Sequence, residues 1–251
     1  MILRALHISK SFGGLRAVDN VSLTLPEATI LGVIGPNGAG KSTLFNCLTG
    51  FETFDEGEVT LDEARLASGK QRAFLDAGIA RTFQNTSLFD GMTVRENLEV
   101  ALKHAQGTQF LSALVAPLSR KKPDVEDSVA MLLKKYDLTD ISEALCEGLG
   151  SGQRRMVEVV RACALSPRVL LLDEPAAGLN PTETQNLMAM IRRIRNDGIS
   201  IIVVEHDLKL IMSVCDNVIV LDRGRKIAEG PPHIVQKDPA VIESYLGTAL
   251  S

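Results

Sequence analysis

The chain has 251 residues, of which 45% are hydrophobic and 23% are charged, a composition typical of a folded globular protein with a sizeable core. Its formal net charge of −4 gives no sign of the basic surface that nucleic-acid-binding proteins use, so DNA and RNA are poor candidate ligands. The four cysteines form no C-x-x-C pair, and no stretch approaches the ~18 apolar residues that cross a bilayer, which together predict a cytoplasmic protein with reduced thiols.

The N-terminal segment predicts two half-buried strands. Apolar and polar residues alternate over residues 2–8 and 21–25, and Gly13-Gly14 marks a turn between them. Phe12 precedes that turn. An aromatic ring in this place either stacks on a purine base or belongs to the core, and the sequence leaves both readings open.

The stretch that follows carries the strongest chemical signal in the chain. It reads Gly35-Pro36-Asn37-Gly38-Ala39-Gly40-Lys41-Ser42-Thr43 and matches G-x-x-x-x-G-K-S. Glycines let backbone N–H groups turn onto phosphate oxygens, the lysine reaches the β- and γ-phosphates, and the serine hydroxyl ligates Mg²⁺. An apolar run at residues 30–34 precedes the loop and a helical pattern follows it. The sequence therefore predicts a phosphate-binding loop at a helix N-terminus.

The next segments predict a strand and then helices. Residues 78–84 read as a strand that ends at Gln84, which either orients water and a metal ion at a phosphate site or is solvated surface. Apolar residues recur at helical spacing in 94–102 and in 129–136. This pattern predicts a helical insert in an α/β frame, and we expect Leu88, Phe89 and Met92 to be exposed just before it.

A second informative stretch ends in two acidic residues, a pattern typical of a metal site. The apolar run 169–172 ends in Asp173 and Glu174, as in a parallel strand that is buried on both faces and carries ligands at its carboxyl end. We expect Asp173 to share Mg²⁺ with Ser42, and Glu174 to polarise a water molecule as a general base.

One further candidate functional residue follows the next predicted strand. Residues 199–204 form an apolar run that is followed by Glu205 and His206. The histidine is either structural or hydrogen-bonds a γ-phosphate. Residues 218–224 and 226–230 predict a hairpin, and a short helical tail follows.

Together with Leu149-Gly150-Ser151-Gly152-Gln153, these motifs, in this order and spacing, resemble the ATP-binding cassette subunits of ABC transporters over essentially the whole chain. The resemblance implies a P-loop NTPase core, α/β with a RecA-like mixed sheet and flanking helices. It also implies an N-terminal antiparallel β-subdomain and an inserted α-helical subdomain. The whole chain, 1–251, is then one nucleotide-binding domain with its core at about 1–90 and 162–230, its helical subdomain at about 91–161, and a tail at 231–251.

The resemblance also assigns roles. It implies an ATPase that uses ATP and Mg²⁺, with Glu174, His206 and Gln84 as catalytic residues and with Ser42, Gln84 and Asp173 at the metal. Phe12, residues 35–43 and residues 149–153 would bind the nucleotide. Residues 149–153 are similar to the family signature, which is pressed against the γ-phosphate of ATP held by the other subunit. The family has serine at the second position of this stretch, where this chain has Gly150.

The implied partners are integral membrane permease subunits, a second copy or paralogue that forms an ATP-sandwich dimer, and indirectly a periplasmic solute-binding protein. The implied location is the cytoplasmic face of the inner membrane, as a peripheral subunit. The narrower resemblance is to ATPases of branched-chain amino acid importers. Related systems for urea, amides or lipopolysaccharide stay open, as does, less favoured, a non-transport ABC ATPase.

Overall fold

The computed structural model describes residues 2–82, 88–113, 124–206 and 208–248. The chain divides into two compact units. The first consists of Met1–Gln84, Arg168–Ala177 and Ile191–Ser251, and the second of Asn85–Pro167 and Gly178–Met190. Among the described residues, no helix combines the length and the apolar character that crossing a membrane requires.

Strands and helices are mixed along the chain, with the longest run of helices in its middle. The N-terminal part contains β1 (Ile2–Phe12), β2 (Leu15–Pro26), β3 (Ile30–Ile34), α1 (Lys41–Cys47), β4 (Glu56–Leu61), β5 (Ala64–Leu66), α2 (Gln71–Asp76) and β6 (Ile79–Arg81). The middle contains α3 (Val94–Ala113), α4 (Val125–Lys135) and α5 (Ser151–Cys163). The C-terminal part contains β7 (Val169–Asp173), α6 (Pro181–Asn196), β8 (Ser200–Val204), α7 (Leu208–Val214), β9 (Asn217–Asp222), β10 (Arg225–Gly230), α8 (Pro232–Val235) and α9 (Pro239–Thr248).

Two sheets form the first unit. Strands β2-β1-β4-β5 make an antiparallel sheet, and strands β10-β9-β3-β8-β7-β6 make a second sheet in which only the β9–β10 pair is antiparallel. Every residue of β3, β7 and β8 is buried, which explains why these strands are continuous apolar runs. The predicted strands and C-terminal hairpin are found, except that β6 ends at Arg81 and the predicted strand end at Gln84 lies outside the described residues. The short helix α2 was not predicted.

The register of the parallel strands decides where the polar residues lie. Val33 pairs with Val204, and Asp173 pairs with the same Val204. The phosphate loop, the acidic pair and the polar residues after β8 therefore follow strand ends at one edge of the sheet, where α/β proteins bind their ligands.

One hydrophobic core joins the two sheets of the first unit. Leu23 and Leu25 from β2, Leu31 and Val33 from β3, and Leu44 and Phe45 from α1 all belong to it. All four cysteines are free and buried. The helix that begins in the phosphate loop is thus fixed to both sheets by its apolar face.

Helices make up most of the second unit. The predicted helical insert is confirmed in α3 and α4. Asn97 is fully buried and binds both backbone groups of Phe89, with its Oδ1 2.9 Å from the N–H and its Nδ2 3.1 Å from the carbonyl oxygen. Phe89 is exposed as expected, but the expectation for Leu88 is wrong: only 7% of its surface is exposed.

A prediction for the core concerns Gly32 in β3. A Cβ atom at this position would lie 3.0 Å from Cys215 Sγ and 3.1 Å from Ile211 Cγ2. We expect Gly32→Ala to lower the free energy of unfolding by about 1–3 kcal/mol because it overpacks the contact with α7. Adding Cys215→Ala, which removes the nearest atom, should recover part of the loss in a denaturant titration.

The matched control is Cys163→Ala. It removes a buried thiol that belongs to the second unit, whereas Gly32 and Cys215 belong to the first. Its effect should add to that of Gly32→Ala without coupling. Equal stability of Gly32→Ala and the wild type, or the same coupling with both cysteines, would show that steric pressure at Cys215 is not the cause.

Candidate functional site

The phosphate loop connects β3 to α1 and adopts a conformation that depends on glycine. Gly35, Gly38 and Gly40 all have positive φ angles, and Gly40 is the N-cap of α1. A Cβ atom on Gly40 would lie 2.3 Å from the carbonyl oxygen of Ala17, so no side chain fits there. The local backbone itself therefore requires glycine at position 40.

Lys41 lies inside this loop. Its ammonium donates hydrogen bonds to the carbonyl oxygens of Gly35, at 2.7 Å, and Pro36, at 2.9 Å. Burial lowers the pKa of the Lys41 ammonium, and the carboxylates of Glu174 and Asp173 oppose that shift. The cation and the two carboxylates are consequently close enough to interact electrostatically.

The acidic pair ends β7 in two different environments. Asp173 is buried, with Oδ2 4.0 Å from the Arg81 guanidinium. Glu174 has a φ of +43°, and its N–H donates to the Val204 carbonyl oxygen at 2.9 Å. A left-handed glutamate is strained, and such strain is found preferentially at functional sites. The two carboxylates therefore differ in burial and in backbone conformation.

His206 is 61% exposed in its side chain and lies beside two carboxylates. Its Nδ1 is 3.9 Å from Glu174 Oε1 and 3.8 Å from Glu205 Oε2. Glu205 is fully buried and accepts N–H groups from Ala176 at 2.8 Å and from His206 at 3.2 Å. It thus ties the segment after Glu174 to His206. The sequence analysis assigned Glu205 no role, although a carboxylate directly after a buried strand was a usable signal.

Arg81 is a second residue that sequence reasoning missed. Its guanidinium lies between the rings of Phe45 and Phe51, 4.6 and 4.8 Å from their centroids. It donates to Asn46 Oδ1 at 2.8 Å and Thr49 Oγ1 at 3.2 Å. Arg81 therefore joins the phosphate-loop helix to the strand next to β7.

The C-terminal helix also reaches the loop. Burial raises the pKa of the Tyr245 phenol, and the backbone N–H of Gly35 opposes that shift. Tyr245 of α9 therefore lies near Gly35, at which the phosphate loop begins. No feature of the sequence predicted this contact.

A cavity of about 500 Å³ brings several predicted residues together, a size within the usual range for small-molecule sites. Its lining comprises Phe12, Leu15, Arg16, Ala17, residues 37–43, Glu174, Arg223 and Gly224. Phe12 is 48% exposed, and the Lys10 ammonium lies 5.1 Å from its ring centroid. The open question about Phe12 is answered in part, since the ring borders this cavity and is not in the core.

The stretch Leu149–Gln153 belongs to the second unit. Gly150 is the exposed N-cap of α5, and its N–H donates to Gln153 Oε1 at 3.3 Å. The nearest atom that a Cβ on Gly150 would meet is that same oxygen, at 4.0 Å, so the position tolerates a side chain. Ser151 begins the helix, and Gly152 donates its N–H to Glu183 Oε1 at 3.2 Å. Gln84 lies outside the described residues.

The donor set fits a magnesium ion that is held partly by phosphate. A serine hydroxyl and a carboxylate offer the hard oxygen ligands that Mg²⁺ prefers, and such sites use one or two carboxylates with water and substrate phosphates. Within the ranges that the structure describes, no cluster of three or more acidic, histidine or cysteine ligands is present. Both carboxylates lie close enough to Lys41 to oppose the lowering of its pKa, and Glu174 lines the same cavity as the phosphate loop.

A glycine-rich loop between a buried parallel strand and a helix, with a buried aspartate at the end of a neighbouring strand, defines a P-loop nucleotide-binding domain. The sequence profile of the ABC transporter family matches residues 18–177, and that of the branched-chain amino acid ATP-binding cassette transporters matches residues 225–250. The chain belongs to the ABC transporter family and is an ABC-type ATPase.

Relatives and solved structures agree with this assignment. The chain is 39% identical over 251 residues to the high-affinity branched-chain amino acid transport ATP-binding protein BraF of Pseudomonas aeruginosa, with 99% of this chain and 98% of that protein covered. It is 42% identical over 241 residues to LivG of Salmonella typhimurium, which has the same description, with 95% and 94% covered. The ADP conformation of an ATP-binding cassette of an ABC transporter superposes with a TM-score of 0.85 at 32% identity, covering 98% of each chain. The predicted fold class is confirmed.

A prediction for the second unit concerns the carboxylate of Glu183. Its Oε2 accepts the Asn180 N–H at 2.9 Å, as in a capping box of α6, and its Oε1 accepts the Gly152 N–H. We expect Glu183→Ala to lower the free energy of unfolding by about 2 kcal/mol, because two N–H groups lose their acceptor. Glu183→Gln should lose about half as much, since one acceptor oxygen remains. Denaturant titration measures both.

Glu96 supplies the control, because it makes the same reciprocal pair with Thr93 at the start of α3 and no additional contact with Gly152. Glu96→Ala should cost about 1 kcal/mol. An equal loss for the two alanine variants would mean that the Gly152 contact contributes nothing to stability.

Proposed function

We propose that the chain binds ATP with Mg²⁺ and hydrolyses it to drive a membrane importer for branched-chain or other amino acids. The observation that carries the proposal is the juxtaposition of Lys41, inside the phosphate loop, with Glu174 in the same cavity. The transported solute is proposed from the relatives' descriptions and from the profile that matches residues 225–250.

Phosphoryl transfer to water requires positioning and charge stabilisation more than covalent chemistry. Each residue of the site has a separate role in this reaction. Lys41 and the loop amides hold the phosphates, and Phe12 stacks on the base. Glu174 accepts a proton from the attacking water, and its strained backbone is fixed by the hydrogen bond to Val204. His206 braces the γ-phosphate from the same edge of the sheet.

Magnesium would be held by Ser42, Asp173 and Gln84, and when bound it neutralises phosphate charge. Asp173 is suited to this role because it is buried and because Arg81 and its partners on α1 restrain the end of the neighbouring strand. Gln84, which follows β6 by three residues, would order water beside the metal.

Two copies, or one copy and a paralogue, would close head to tail around two ATP molecules. The signature stretch Leu149–Gln153 of one subunit would then meet the γ-phosphate held by the other. The N-terminus of α5 supports this role, because a helix of 13 residues presents backbone N–H groups and a favourable dipole to an anion. Gly150 supplies backbone N–H but no hydroxyl.

The second unit offers a surface for the permease. Phe89 is 50% exposed although it is aromatic, and Asn97 fixes its backbone from the buried side. A rigid, exposed aromatic residue is the type that anchors protein interfaces. We assign the subunit to the cytoplasmic face of the inner membrane, with a periplasmic solute-binding protein as an indirect partner.

The chemical role of Glu174 gives a direct test. We expect Glu174→Gln to reduce steady-state ATP hydrolysis by at least about 100-fold, because the amide accepts no proton from water. ATP affinity should change by less than about threefold, since the loop and Lys41 are intact. Phosphate release and equilibrium nucleotide binding measure the two quantities.

The control is Glu63→Gln, which changes an exposed carboxylate in the turn after β4 and should leave hydrolysis unchanged. Hydrolysis near the wild-type rate in Glu174→Gln would remove this residue from the role of general base. An equal loss of binding and hydrolysis would instead indicate a role in nucleotide binding.

The permease surface is tested by Phe89→Glu. We expect the isolated subunit to hydrolyse ATP within about twofold of the wild type, because Phe89 belongs to the second unit and is not among the residues that line the cavity. Uptake of labelled leucine by cells with the complete transporter should fall to background, since a charge replaces an apolar anchor.

Met131→Glu is the matched control, because Met131 is an exposed apolar residue of the same unit, at 59%. That variant should transport normally. Normal uptake with Phe89→Glu, or loss of uptake with both variants, would contradict the assignment of this surface.

A further inference from the structure

The turn between β9 and β10 is attached directly to the phosphate loop. The N–H of Gly224 donates to the Ala39 carbonyl oxygen at 3.0 Å, and its carbonyl oxygen accepts the Asp19 N–H at 2.8 Å. A Cβ atom on Gly224 would lie 2.9 Å from the Ala17 carbonyl oxygen. The tip of this hairpin therefore has a fixed position between β2 and the phosphate loop.

The residue before Gly224 is an arginine in an unfavourable backbone conformation. Arg223 has a φ of +45° and Gly224 a φ of +80°, so both central residues of the two-residue turn are left-handed. Such turns favour asparagine or glycine at the first of these positions. Local structure therefore opposes arginine here, and an outlier of this kind is a reason to look for a role of the side chain.

Arg223 is exposed and lines the 500 Å³ cavity together with Phe12 and the phosphate loop. Its cationic neighbours are already engaged: Arg16 lies 2.8 Å from Asp19, and Arg225 lies 2.7 Å from the same carboxylate. No ion pair of Arg223 is found in the part of the chain that the structure describes. An unpaired guanidinium at the wall of a phosphate-binding cavity is suited to an anionic ligand.

The sheet order indicates which part of the nucleotide it would meet. Strand β3 leads into the phosphate loop; β8 and β7, on one side of it, lead to His206 and Glu174. Strand β9 lies on the other side and leads to Arg223. The proposed hydrolytic groups and Arg223 thus flank the loop from opposite sides, and Arg223 lies on the side where β2 lines the cavity.

We propose that Arg223 is a nucleotide-binding residue that contacts the ribose and α-phosphate of ATP. This inference rests on the proposed function of the cavity. It adds a cation at the nucleoside end, distinct from Lys41 at the β- and γ-phosphates. Arg223 strengthens nucleotide binding. It takes no part in hydrolysis, since Glu174 and His206 lie on the other side of the loop.

The test uses the full chain and four proteins: wild type, Arg223→Asn, Arg223→Lys and Arg225→Gln. Asparagine suits the left-handed turn but carries no charge, lysine keeps the charge, and Arg225→Gln removes a charge from the same hairpin outside the cavity. Competition titrations against a fluorescent ADP analogue give affinities for ADP, for ATP in EDTA and for inorganic tripolyphosphate. Thermal unfolding without nucleotide gives Tm.

We expect Arg223→Asn to weaken ADP and ATP equally, by about 3- to 10-fold, because a charge-assisted contact common to both is lost. Tripolyphosphate, which offers a phosphate at the α position but has no ribose, should be weakened by a smaller factor than ADP. The Tm should stay the same or rise by about 1–3 °C, since the strain of the turn is relieved. Arg223→Lys should retain most of the affinity, and Arg225→Gln should bind as the wild type does.

Unchanged ADP affinity in Arg223→Asn would overturn the inference, as would an equal loss in Arg225→Gln, which would indicate a general effect of charge. A loss of tripolyphosphate binding as large as that of ADP would exclude the contact with the ribose. A parallel fall of Tm and affinity would make the residue structural. Failure of the wild type to bind ADP would refute the proposed function itself, a result separable from all of these.

Discussion

The structure depends on how closely the backbone of the phosphate loop is packed against its neighbours. A Cβ atom on Gly35 would lie 2.1 Å from the carbonyl oxygen of Leu221, and one on Gly40 would lie 2.3 Å from that of Ala17. The loop is therefore held between β9 and β2, with no space for a side chain at Gly35 or Gly40. Strand β9 leads into the turn at Arg223 and Gly224, and β2 follows Phe12. The close packing that shapes the loop therefore also brings this turn and Phe12 to the cavity.

Compensating partners explain how charged groups persist at the buried carboxyl edge of the sheet. Asp173 and Glu205 are both buried, and each is compensated: Asp173 by the nearby guanidinium of Arg81, and Glu205 by two backbone N–H groups. A buried carboxylate without such partners is costly. Through these hydrogen bonds, Glu205 fixes the backbone of Ala176, two residues after Glu174, and the backbone of His206. The strained conformation of Glu174 is thus next to a segment that is held in place.

Sequence reasoning succeeded where the signal is local. The phosphate loop, the apolar strands and the C-terminal hairpin each lie in one continuous stretch, whose pattern follows from burial on two faces or from turn chemistry. It failed for Arg81 and Glu205, because their roles come from partners distant in the chain, such as Asn46 and Ala176. Leu88 was misjudged for a similar reason: nothing in its neighbouring residues distinguishes it from the exposed Phe89, and packing in the second unit decides the difference. Arg223 carried a signal, an arginine before glycine in a two-residue turn, that has meaning only once the turn is known to border the cavity.

The N-terminus of α5 presents a competition between anions. In the second unit, one carboxylate, that of Glu183, accepts N–H groups from both Gly152 and Asn180. A single N–H group donates one good hydrogen bond, so the amide of Gly152 serves either this carboxylate or a phosphate oxygen. The Glu183 carboxylate and a phosphate are both negative, so they would also repel each other if both approached this N–H group. Under the proposed function, a γ-phosphate that engages this helix through Gly152 must displace Glu183, and the segment that begins with Asn180 then loses an acceptor. The signature stretch and the loop before α6 are coupled by this shared carboxylate, with no need for a longer chain of contacts.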